Sequence, residues 1–181
     1  DGGETFERIS ETPILDRREG EALFRSAPFA MCMSDAWRMW YISGNSEIML
    51  GSKSQPFYNI RQLDSANGVD WPGEGRVAMA LSGEDEYGLG RPYVFHDGRE
   101  YQLYFSVRMR SCGYRFGLAV SKDAETWQRR DADIGLDVSA DGWDSEAVSF
   151  SAVINSTGKT YMFYNGNGFG RTGFGLAVRE E

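Results

Sequence analysis

Two carboxylates stand two residues apart in the phrase W-D-S-E, Asp144 and Glu146, just ahead of the apolar run 147–154. If that segment is extended, both acids point to one face. Cleaving a glycosidic bond needs two carboxyl groups across it, about 5–5.5 Å apart for retention or about 6.5–9.5 Å for inversion. One of this pair can act as the general acid, a role that calls for partial burial of Glu146. Its partner then comes from elsewhere in the chain, and Glu84, Asp85 and Glu86 are the candidates. Plainer readings stand beside these: Asp144 as a turn aspartate accepting backbone N–H groups, and Glu146 as an exposed loop acid. Other signals carry less chemistry. The single histidine, His96, precedes Asp97-Gly98 and reads as a hairpin residue. The G-x-G-x-G run at 166–170 is not followed by a helix, so it reads as turn glycines rather than a phosphate loop.

The elements that must position these acids repeat. After W-D-S-E come three strands, 147–154, 160–164 and 172–178, punctuated by N-S-T-G and N-G-N-G. Earlier segments follow the same order. First strands are expected at 28–33, 92–96 and 147–154, second strands at 37–43, 101–107 and 160–164, and third strands at 59–65, 114–121 and 172–178. A polar turn ending on an aromatic then leads to a fourth, outer strand, at Phe6, Trp71 and Trp127. Four antiparallel strands recurring roughly every 55–65 residues point to an all-β fold of propeller blades. A β-sandwich is the alternative.

The expected organisation is a single domain of three blades, approximately 11–75, 76–131 and 132–181. Residues 1–10 are then an outer strand of a preceding or partner blade. Three blades fall short of the usual ring of about four to eight, so the propeller is completed by further blades or by oligomerisation. Long connections are expected at 13–26, 73–90 and 131–145. In a radial arrangement, residues entering the first strands meet residues leaving the second ones at one mouth. That gathers Asp144 and Glu146 with Arg91, Arg108, Asn165 and Asn167 in a polar funnel suited to a sugar or a sugar acid. A tryptophan at the mouth could stack on the sugar face.

Composition fits this picture. The chain has 181 residues, 22 of them glycine, with 14% aromatic residues, as many short strands and tight turns require. A formal charge of −8 disfavours nucleic acid and anionic membrane as partners, since both select a basic face. No apolar run approaches the about 20 residues that cross a bilayer. Cys32 and Cys112 lie far apart with no C-x-x-C spacing, so no metal site or other cofactor is expected. Both read as buried free thiols, which favours a reducing, cytoplasmic location.

Five phrases carry a family resemblance: DGGETFERISETPIL at 1–15, APF with WRMWYISG within 27–44, GRPYVF with YFSVR within 90–108, YRFGLAVSKDAETW at 114–127, and GWDSEAVSFSAVI with YMFYNGNGFGRTGFGLAV within 142–178. The chain resembles five-bladed propellers of the glycoside hydrolase family 43, 32 and 130 kind, and within them glycosidase-like bacterial proteins of greater length. The resemblance implies the C-terminal portion of such a propeller. It carries Asp144, Glu146, Asn165, Asn167 and Arg171 over as pocket residues, along with Arg91 and Arg108. One essential acid of the catalytic families lies in an N-terminal blade and has no counterpart here. The implied function is binding or processing a glycan or sugar conjugate. The alternative is a non-catalytic ligand-binding or assembly fragment, and open blade edges suit a homodimer.

Overall fold

The structure is a computed structural model that describes residues 5–180. Eleven strands make up almost all of its regular structure: β1 (Phe24–Cys32), β2 (Trp37–Leu50), β3 (Lys53–Ser65), β4 (Arg76–Met79), β5 (Glu86–His96), β6 (Tyr101–Met109), β7 (Arg115–Ser121), β8 (Gln128–Arg129), β9 (Ser149–Ser156), β10 (Lys159–Asn165) and β11 (Phe174–Glu180). They pair antiparallel in chain order as β1–β4, β5–β8 and β9–β11. One parallel bridge, Tyr58 to Gly88, links the first two groups into an eight-stranded sheet, whereas β9–β11 form a separate sheet. The first strands of the groups are neighbours, β1 packing beside β5 and β5 beside β9. The arrangement is all-β and does not close on itself.

Local chemistry explains the strand ends. At the 97–100 turn, Asp97 Oδ1 accepts the N–H groups of Arg99 and Glu100, while His96 Nδ1 accepts that of Gly98, so His96 is a hairpin residue. The two turns ending on tryptophan share one device. Asn67 Oδ1 accepts from the N–H groups of Val69 and Asp70, and Asp123 Oδ1 from those of Glu125 and Thr126. A serine two residues earlier, Ser65 or Ser121, bonds the same oxygen. Those backbone N–H groups, with the Ser121 hydroxyl, hold the Asp123 carboxyl down at about 2.

Four expectations need correcting. The 73–90 connection is largely structured, because β4 and the first half of β5 fall within it. The second hairpin is longer than read: pairing continues past a bulge at Gly44/Ser46 to Leu50 and Lys53, closed by Gly51 at φ 60°. Both cysteines are free but exposed rather than buried. Cys32 ends β1 where the chain turns, and Cys112 sits in the turn between β6 and β7, so neither reaches the core. Of the expected outer strand at the start, residues 1–4 lie outside the described residues, and residues 6–10 form no strand.

The main core lies between the first two groups, around the fully buried Trp40, Ile60, Leu89, Leu103 and Phe105. Buried Gln62 organises its polar centre: its Oε1 accepts both indole N–H groups, from Trp40 at 3.1 Å and Trp127 at 3.2 Å, and its amide donates to Glu125 O at 3.1 Å. Gly117 has to be glycine, since a β-carbon there would stand 2.0 Å from the Phe105 ring. A second ionic hub ties residues 16–25 to β2 and β3. Glu21, 1% exposed, takes a two-point contact from Arg25 at 2.5 and 3.1 Å and the Tyr41 hydroxyl at 2.9 Å, with Arg61 at 3.8 Å. Smaller clusters join β5–β8 to β9–β11, among them Phe116, Val148 and Tyr164.

Candidate functional site

The three neighbouring first strands share an irregularity. Non-glycine residues occupy the left-handed region at Ala27 (φ 48°), Arg91 (φ 47°) and Phe150 (φ 58°). Each lies at a register shift, Ser26/Phe29 in β1, Gly90/Tyr93 in β5, and β9 opposite Phe163/Asn165 of β10. Such a conformation costs about 1–3 kcal/mol per residue, and a bulge re-aims the side chain it carries. Here all three side chains line one cleft of about 610 Å³. Tyr58, Tyr93 and Tyr114 add aromatic walls. The Phe150 bulge is pinned across the sheet gap by its N–H, which donates to the buried Ser106 Oγ at 2.8 Å.

The cleft is cationic and aromatic. The Arg91 guanidinium stands 5.9 Å from the Phe150 ring centre and has neither hydrogen bond nor ion pair among the described residues. Tyr114 contacts Phe150 at 5.7 Å between centroids, and its hydroxyl lies 3.4 Å from that of Tyr58. Burial, reinforced by Tyr58, raises the Tyr114 hydroxyl well above its ordinary value, so it remains a donor. Arg108 is held behind Tyr114, 4.7 Å from the Tyr87 ring centre and 6.0 Å from that of Tyr114, and donates to Gln55 Oε1 at 2.8 Å. Among the described residues, no carboxylate lines this cleft.

Of the residues singled out from sequence, Arg91 lines the cleft and Arg108 reaches it through Tyr114. Asn165 ends β10, and Asn167 and Arg171 belong to the loop between β10 and β11, which carries Phe169 against Tyr114 and Phe150. Asn167 is structural as well: its Oδ1 accepts the N–H groups of Glu146 at 2.8 Å and Ala147 at 3.1 Å. That capture bends the W-D-S-E segment, so it is not extended and its two acids do not share a face. Asp144 is buried, accepting the Tyr164 hydroxyl at 3.0 Å, while Glu146 is exposed and offers its backbone carbonyl to Arg115 at 3.0 Å. Burial, with the Asp144 hydrogen bond and charge, pushes the Tyr164 hydroxyl up to about 12. Asp144 Oδ1 is also buried and has no partner. None of the other acids named as partners lines the cleft: Glu84 is exposed, Asp85 holds the Ser111 hydroxyl and N–H, and Glu86 takes two bonds from Arg129 at 2.6 and 2.9 Å. Among the described residues, no cluster of His, Cys, Asp or Glu is placed to hold a metal ion.

Sequence reading missed Phe150, Tyr58, Tyr114 and Phe169. A signal existed in two of the three bulges, S-A-P-F at 26–29 and G-R-P-Y at 90–93, where a proline and an aromatic follow the left-handed residue. The third, S-F-S-A at 149–152, lacks the proline.

No family model matches the sequence. Uncharacterized proteins from two Mycobacterium tuberculosis strains, H37Rv and CDC 1551, are 38% and 37% identical over all 181 residues. The chain spans 59% of the length of each. Among solved structures, a glycoside hydrolase superposes with a TM-score of 0.73 at 18% identity, over 95% of this chain and 52% of that one. A family 117 glycoside hydrolase from Zobellia galactanivorans gives 0.69 at 16% identity, over 92% and 56%. The GH43_1 enzyme from Xanthomonas citri, complexed with xylotriose, gives 0.60 at 15% identity, over 88% and 44%. The chain therefore has the fold of propeller glycoside hydrolases over about half their length. Among the described residues, no helix is long and apolar enough to cross a membrane.

Proposed function

We propose that this chain supplies three consecutive blades of a glycosidase-like propeller and that the cleft at its bulged inner strands binds a glycan or sugar conjugate. The blades are approximately 11–75, 76–131 and 132–181 by the repeat, and the strand groups are β1–β4, β5–β8 and β9–β11, the pairing of β4 with β3 carrying the first boundary to Met79. One observation carries the reading: three left-handed bulges turn Ala27, Arg91 and Phe150 into a single volume walled by tyrosines. A sugar ring offers an apolar C–H face to such rings and hydroxyls to their polar rims. A guanidinium with no carboxylate partner suits a ligand that brings its own anionic group, as a sugar acid does. The likeness to glycoside hydrolases supports the same class of ligand. Two free thiols fit a reducing, cytoplasmic compartment.

Recognition is assigned to this chain, and hydrolysis to the longer whole that such propellers form. Within that whole, Glu146 and Asp144 are the candidate catalytic acids on this chain, one of them working with a carboxyl from another blade, and Asn165, Asn167 and Arg171 are candidate substrate-binding residues. Isothermal titration of the chain with neutral and acidic oligosaccharides tests the binding. Saturable heat with at least one of them is expected, and none with any of them overturns the proposal. Where turnover accompanies binding, Glu146→Gln is expected to stop it and spare affinity. Retained turnover removes Glu146 from catalysis.

A second reading concerns assembly. On the outer face of β9–β11, Ile154, Phe163, Phe174, Leu176 and Val178 are exposed, and β11 is an edge strand. An apolar face bounded by an unpaired edge favours a second copy of the chain, giving a two-fold homodimer. Light scattering at micromolar concentration is expected to read twice the chain mass. A stable monomer refutes the dimer and leaves the cleft untouched.

A further inference from the structure

We infer that Phe169 forms a second ring-stacking subsite beside the cleft, so that the site is built for an oligosaccharide of at least two units. This rests on the glycan reading above and extends it from the kind of ligand to its length. Phe169 lies at the apex of the loop between β10 and β11. Both ends of that loop are fastened to the segment around Trp143. The Asn167 N–H donates to Trp143 O at 2.9 Å, its side-chain amide to Gly142 O at 3.1 Å, and the Thr172 hydroxyl to Trp143 O at 2.7 Å. Gly166 lies so close to the Trp143 ring that a β-carbon would stand 2.4 Å from it. Between these anchors the chain takes three left-handed residues in a row, Gly168 (φ 59°), Phe169 (φ 62°) and Gly170 (φ 87°).

Two of the three are glycine, for which that conformation is free. The middle one is phenylalanine, for which it costs about 1–2 kcal/mol. Core packing does not offset the cost, because Phe169 is 62% exposed. What the conformation achieves is placement. The ring stacks on Phe150 at 6.2 Å and 17°, and meets Tyr114 edge-on at 5.6 Å. Both of those residues line the cleft. The aromatic wall therefore continues from Tyr58 through Tyr114 and Phe150 out to Phe169, beyond the residues that line the cleft. Polar groups flank the extension. The Asn165 amide sits under the loop, 3.4 Å from Phe169 O. The Arg171 side chain folds back over Gly168, with Nε 3.3 Å from where a β-carbon would be, and has no ion pair among the described residues. A rigidly anchored loop that holds an exposed aromatic in a costly conformation beside a cleft is what a stacking platform for a second sugar unit requires.

The test is calorimetric titration with two ladders of one to three units, galacturonate and its oligomers, and xylose and its oligomers. In whichever ladder binds, the dimer or trimer is expected to bind about three- to tenfold tighter than the monomer, the worth of one ring contact. Phe169→Gly and Phe169→Asn both suit a left-handed backbone. Each is expected to erase that gain, leave the monomer affinity unchanged and melt no lower than wild type. Phe169→Trp is expected to restore the gain. No gain with length in wild type, or a gain that survives both substitutions, overturns the subsite and leaves the glycan reading standing. Monomer affinity lost together with thermal stability assigns Phe169 to loop packing and also overturns it. Failure of every member of both ladders to bind overturns the glycan reading itself, and the subsite with it.

Discussion

Arg25→Ala is expected to lower the stability of the fold by about 3–5 kcal/mol, among the largest effects of any single substitution in this chain. The loss comes from the carboxylate left behind rather than from the contact removed. Glu21 is 1% exposed, and its two-point contact with Arg25 is the closest compensation of its charge. Arg61 stands farther off, at 3.8 Å, and the Tyr41 hydroxyl brings no charge. The pH dependence gives the prediction a signature. Burial pushes the Glu21 carboxyl up, but the Arg25 and Tyr41 hydrogen bonds and the Arg25 charge outweigh it and hold it below its ordinary value of 4.5. A carboxyl lowered by folding stabilises the native state above its unfolded value, and that contribution fades as pH falls through its folded value. The gap between wild type and Arg25→Ala is therefore widest near neutrality and narrows on acidification, as protonation removes the stranded charge in the variant and wild-type Glu21 loses its contribution below its lowered folded value. Urea denaturation at pH 7 and pH 4 reads both. A gap below about 1 kcal/mol at pH 7, or one that widens on acidification, contradicts this account of the hub.

Arg91→Glu is expected to weaken binding of an acidic saccharide by more than about 100-fold, since like charges brought together cost several kcal/mol. Arg91→Ala should cost about tenfold. Neither should disturb folding. Arg91 is exposed, its guanidinium has no ion pair to lose, and its backbone strain is shared by any non-glycine replacement. Raising the salt from about 0.05 to 0.5 M should reduce wild-type affinity for the acidic ligand and leave that of Arg91→Ala nearly flat, because mobile ions screen an exposed charge. Equal affinities for wild type and Arg91→Glu would place the anion elsewhere.

The strand grammar was legible, and the cleft was only half legible, for physical reasons. Turn residues act locally: Asn67 and Asp123 close their turns on neighbours within three residues, so the order of strands could be read from spacing. The eleven strands follow the order the repeats give, apart from the outer strand at the start, the extended hairpin at 44–59 and the early start of β5 at Glu86. The left-handed bulges are different. They depend on how three strands meet around a common space, and Phe150 has no side-chain signal of its own. Arg91 was found because it leads into a first strand, whereas Tyr58 and Tyr114 stand at the starts of third strands, which the expected mouth did not include. Asp144 and Glu146 were read as a pair on the assumption of an extended segment. Asn167, twenty-one residues beyond Glu146, bends that segment by taking its N–H groups, a contact no local pattern announces.

The separate sheet β9–β11 has a consequence for timescale. Few hydrogen bonds among the described residues tie it to β5–β8: the Val148 N–H to Tyr114 O, the Phe150 N–H to Ser106 Oγ, the Arg115 guanidinium to Glu146 O and the Arg179 guanidinium to Gln102 Oε1. With no strand ladder across the junction, these strands can open as a unit while the other eight stay shut, and their amides then exchange with solvent at a lower free energy than those of Leu103 or Phe105. The cleft draws Phe150 from this unit, and Phe169, beside the cleft, stands on its loop. One wall residue of the cleft and the ring beside it thus belong to this separable unit, and a ligand seated across both acts as a clamp that slows exchange in β9 and β10.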